Sequence, residues 1–80
     1  MKITSATYQH TVIGWPKAIL KWHYNGTSHT DPYLTIDGVM KPWAWSYREK
    51  AVGDYQIKRE MARFDDYVLA VYGNNADLQG

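Results

Sequence analysis

The residues best suited to acid–base or metal chemistry are three histidines, His10, His23 and His29, because neutral imidazole both carries protons and ligates zinc. Their spacing matches no zinc motif. If Asn25-Gly26 turns a hairpin, His29 shares a face with Trp22 and His23 projects from the other, so the two do not close on one ion. A nuclease would need a base, an acid and a cation, and by residue type His23 or His29, Glu49 and Arg48 could be nominated. Compact RNA-cleaving proteins are strongly basic, whereas this chain carries +1 with histidines neutral. Asp65-Asp66 are neighbours on a helix and splay by about 100°, which suits a solvated acidic edge better than an acid/base pair. Cysteine is absent, removing thiolate catalysis and disulfide stapling. No glycine-rich phosphate loop, nucleophile elbow or His-Glu-x-x-His pattern occurs. The expectation is a non-enzyme with neither metal nor cofactor.

The aromatic residues are the stronger signal. They make up 15% of the chain and comprise four Trp, seven Tyr and one Phe. Trp and Tyr carry a polar group that needs a partner or water, which places some of them at a rim or a binding surface. Trp15, Trp22, Tyr24, Tyr33, Trp43, Trp45 and Tyr47 are interleaved with Lys17, Lys21, Lys41 and Arg48. Two binding chemistries use such residues. Protein-interface hot spots are rich in Trp, Tyr and Arg, which nominates Trp15, Trp43, Trp45, Tyr47 and Arg48. A stacking platform for single-stranded nucleic acid would instead use Lys2, Lys17, Lys21, Trp22 and Tyr24. The near-neutral charge and the lack of an RNP-type motif favour the protein interface. Burial of exposed aromatics in a homodimer is a third use.

These residues need elements to position them. Asp54 to Tyr72 holds one helical period throughout, with Ile57, Met61, Phe64, Val68 and Val71 on a single stripe and Arg59, Glu60, Arg63 and Asp66 on the solvated side. Lys2 to Gln9 has strand composition, and Gly14-Trp15-Pro16 predicts a turn. Ala18 to Tyr24 alternates, with Ala18, Leu20, Trp22 and Tyr24 on one face and Ile19, Lys21 and His23 on the other. Asn25-Gly26 predicts a two-residue type I′ turn with Trp22 opposite His29, and Asp31-Pro32 is expected to end the short returning strand. Tyr33 to Ile36 and Val39 to Lys41 flank a second such turn at Asp37-Gly38. Trp43 to Trp45 reads as extended, and Ser46-Tyr47-Arg48-Glu49 matches a capping box opening a short helix. Gly53 would end that helix, Asp54 would cap the main one, and Gly73-Asn74 would close it in a left-handed conformation. Residues 75–80 are expected to fray.

The fold class that follows is α+β: a small antiparallel hairpin meander of three to five short strands, packed in two layers on one long C-terminal helix, as a single domain over residues 1–80. No apolar run suits a signal peptide or membrane span, which points to a cytoplasmic location. In scale and in lacking catalytic motifs the chain resembles small phage-encoded inhibitors, the anti-CRISPR proteins among them. That resemblance is one of size and character, carried by no residue motif. It implies binding to a larger protein or nucleoprotein complex and action by steric occlusion.

Overall fold

The computed structural model describes residues 6–80. Among these, β1 (Ala6–Val12), β2 (Trp15–Tyr24), β3 (His29–Ile36) and β4 (Val39–Pro42) precede α1 (Asp54–Tyr72). The strands form one antiparallel meander in the order β1-β2-β3-β4, and α1 packs across β1 and β2. The fold is the α+β meander and C-terminal helix that the period-two and period-3.6 patterns demand.

Alternation on β2 decides which face is covered. Ala18, Leu20 and Trp22 are buried beneath the helix with Leu34 and Ile36 of β3, while Ile19, Lys21 and His23 lie on the opposite, uncovered face. From α1, Ile57, Phe64 and Val68 enter this core. Val71, placed on the stripe by its spacing, is exposed, and Tyr72 packs inward in its place.

Several local expectations give way to tertiary geometry. The first strand runs to Val12; residues 2–5 of the expected Lys2–Gln9 strand lie outside the described residues. The turn after it is Ile13-Gly14, with Gly14 at φ +91°, and Trp15 and Pro16 already belong to β2. Pro16 is accommodated because the ladder jumps from Thr11↔Ile19 to Val12↔Trp15, leaving Pro16, Lys17 and Ala18 in a bulge that asks no amide of the proline.

The Asn25-Gly26 turn is wider than two residues. Asn25 Oδ1 accepts from Thr27 N (3.0 Å) and Ser28 N (2.7 Å), and Tyr24 pairs with His29 rather than Thr27. The slip is two residues, so every side chain keeps its face. Asp31-Pro32 does not end a strand. Asp31 takes φ +54° in a bulge opposite Trp22, and β3 continues to Ile36. Asp37-Gly38 turns as expected, with φ of +51° and +82° and Ile36 opposite Val39.

No helix forms over residues 46–52. This segment crosses the molecule as a chain of bends and joins β3 through a Val52–His29 bridge, with N···O distances of 2.8 and 2.9 Å. Gly53, not Asp54, is the N-cap of α1, and its amide donates to Gln56 Oε1 at 2.8 Å. Gly73 at the other end is right-handed, φ −59°. The tail, where fraying is expected from its polarity, lies against the body of the fold: Leu78 is 4% exposed and Gly80 N donates to Gly14 O at 2.8 Å.

Candidate functional site

The bent segment after β4 carries most of the side chains nominated for binding. Trp43, Trp45, Tyr47 and Arg48 line one open cleft of about 300 Å³, closed on the β3 side by the Asp31-Pro32 bulge. Trp15 is elsewhere. Its indole donates to Tyr72 O at 3.2 Å and secures the C-terminal end of the helix.

A segment without regular structure needs side-chain anchors, and α1 supplies them. Glu60 is 1% exposed, although its charge places it on the solvated side in a reading by residue type. Its Oε1 accepts from Ser46 N (3.1 Å) and from Arg63 Nε (3.2 Å) and Nη2 (2.9 Å), while Oε2 accepts from Ser46 Oγ (2.5 Å). Arg63 Nη2 also donates to Ala44 O, and its guanidinium carbon stands 4.3 Å from the centre of the Trp43 ring. Burial alone would push the Glu60 carboxyl up; the Arg63 and Ser46 hydrogen bonds, with the guanidinium charge, outweigh it and hold the group below its ordinary value of 4.5. Ser46 therefore spends its hydroxyl on the helix, not on capping a helix of its own.

Glu60 and Arg63 are the residues that sequence reasoning missed. The signal was present in the spacing: Glu60 lies three after Ile57 and four before Phe64, inside the buried stripe.

The walls are aromatic. Trp43 meets Phe64 edge-on at 5.5 Å and Tyr67 at 5.2 Å, and Trp45 is 9% exposed. Among the described residues neither indole N–H of Trp43 or Trp45 finds an acceptor, though both are buried. Unpaired buried donors cost about 1–3 kcal/mol each.

The residues nominated for nucleic acid do not assemble. Trp22 and Tyr24 share the face that Leu20 buries, whereas Lys21 projects from the other face of the same strand. Trp22 is 2% exposed and gives its indole proton to His29 Nδ1 at 2.9 Å. Lys17 pairs at 3.8 Å with Asp37, and Lys2 lies outside the described residues.

Because Trp22 donates to Nδ1, that nitrogen is the acceptor, and His29 Nε2–H donates to Asp54 Oδ1 at 2.8 Å. Both ring nitrogens are thus engaged in joining β2, β3 and the start of α1. His10 pairs with Asp65 at 2.7 Å and His23 stands on the uncovered face, so the three imidazoles serve three separate places. Among the described residues no group of three or more His, Asp or Glu side chains could hold a metal ion, and no helix is long and apolar enough to cross a membrane.

No family model, curated protein or solved structure matches the chain. The functional reading therefore rests on the site itself. What the site offers is an aromatic cleft with a mixed-charge rim of Arg48, Lys50, Asp31 and Glu49.

Proposed function

We propose that this chain is a non-catalytic binding module whose Trp43–Lys50 cleft docks onto a larger protein or nucleoprotein partner and acts by occluding the surface it covers. One observation carries the reading: Trp43, Trp45, Tyr47 and Arg48 converge on a single cleft whose irregular backbone is fixed by the buried Glu60. Fixing the loop before binding removes ordering entropy from the association, and Trp, Tyr and Arg are the side chains that dominate interface energies. Size and steric mode fit the small phage-encoded inhibitors that the chain resembles.

The test is photo-crosslinking in an extract of the source cell, with a crosslinking residue placed at the exposed positions 49 or 50 and, as control, at Thr7 on the uncovered sheet face. Positions 49 and 50 should capture one defined partner that position 7 does not, and Tyr47→Ala with Arg48→Glu should abolish capture while leaving the circular dichroism unchanged. Undiminished capture by the folded double variant would overturn the reading.

A further inference from the structure

The outward face of α1 repeats with seven-residue spacing. Tyr55, Ala62 and Leu69 are apolar or small, Arg59 and Asp66 are oppositely charged, and all five are exposed. At about 100° per residue they fall within about 80° of arc, opposite the buried stripe of Ile57, Glu60, Phe64 and Val68. No element of the described chain covers this face.

We propose that a second copy of this chain covers it, the two α1 helices pairing antiparallel about a two-fold axis at Ala62. The sequence of the face is complementary to its own reverse. With about 1.5 Å of rise per residue, centring the axis on Ala62 puts Tyr55 level with Leu69 of the second copy and Arg59 within about 1.5 Å axially of its Asp66. The two-fold repeats this Arg59–Asp66 pairing on the other side of the axis. Alanine at the axis lets the backbones approach, and the antiparallel sense sets each helix N-terminus beside the other's C-terminus. A parallel pair in register would set Arg59 against Arg59 and Asp66 against Asp66. A groove of about 400 Å³ between Ala62 and Tyr47 flanks the stripe and receives the edge of the second helix. The groove meets the indole-lined cleft at Tyr47, which lines both, but Arg59, Ala62 and Asp66 do not line the cleft, so variants at these three positions test the pairing alone.

The chain has no cysteine, so Ala62→Cys reports the axis directly. Mild oxidation should convert this variant to a disulfide dimer much faster than a Thr7→Cys control on the uncovered sheet face. Sedimentation equilibrium from micromolar to millimolar protein should show a monomer–dimer equilibrium in the wild type. Arg59→Asp should weaken it by about tenfold or more, because two like-charge contacts replace two opposite ones. Combining Arg59→Asp with Asp66→Arg should restore most of the loss, which no intramolecular effect of residues seven apart would do. A wild type monomeric throughout, equal oxidation at positions 62 and 7, or a charge swap that fails to rescue would each overturn the proposal.

Discussion

Replacing Glu60 by Gln isolates the interaction that holds the binding segment on the helix. The amide keeps the shape, its oxygen can take the Oε1 position facing Ser46 N and the guanidinium, and Ser46 Oγ can rotate to accept from the new NH2. What is lost is charge assistance. Hydrogen bonds to an ionised group contribute about 1.5–3 kcal/mol against about 0.5–1.5 for neutral ones. The Arg63 side chain is 41% exposed, so water screens its share, and relief from burying a charge offsets part of the remainder. The net loss should be about 1–2 kcal/mol at neutral pH, measured by urea unfolding followed through tryptophan fluorescence. Its pH dependence is the sharper test. The folded carboxyl titrates below 4.5, so its stabilisation is complete above the unfolded value and is lost as pH falls through the folded one. The gap between wild type and Glu60→Gln should therefore close as the solution is acidified, whatever the other carboxylates do in both proteins. Hydrogen exchange at the Ser46 amide should quicken in the variant. A gap that stays constant or widens in acid would refute the assignment of Glu60 as a buried, ionised anchor.

Two further outcomes test how the rest of the frame is held. Trp22→Phe removes the donor to His29 Nδ1 and leaves a buried acceptor unpaired, at a cost of about 1–3 kcal/mol in urea unfolding; in the wild type, 15N chemical shifts should report His29 as the Nε2-protonated tautomer. Leu78→Ala should destabilise by about 2–3 kcal/mol, because the tail packs its leucine into the core, whereas a frayed tail would leave the midpoint unmoved.

Both the successes and the failures of the sequence reading trace to how local the deciding interaction is. Asp37-Gly38 was readable because the type I′ turn is a property of those two residues, and the register of β3 with β4 follows from it. Asn25-Gly26 carries the same signal, yet the Asn25 carboxamide gathers the Thr27 and Ser28 amides and opens the loop by two residues. Faces survive that error since strand periodicity is two; pairings do not. Ser46-x-x-Glu49 satisfies the local rules for a helix start, but a carboxylate buried at Glu60 requires donors, and among the described residues Ser46 and Arg63 supply them. The cost of leaving Glu60 unpaired exceeds the contribution of one short helix, so the tertiary demand prevails. The same reasoning explains why the candidate site was half visible. Trp43, Trp45, Tyr47 and Arg48 announce themselves by residue type, while the pair that arranges them lies in a helix where charge normally means solvent. An acidic residue at a core position of an amphipathic helix should accordingly be taken as a question about its donors. Here the answer leads from Glu60 through Ser46 and Arg63 to the loop on which the proposed binding depends.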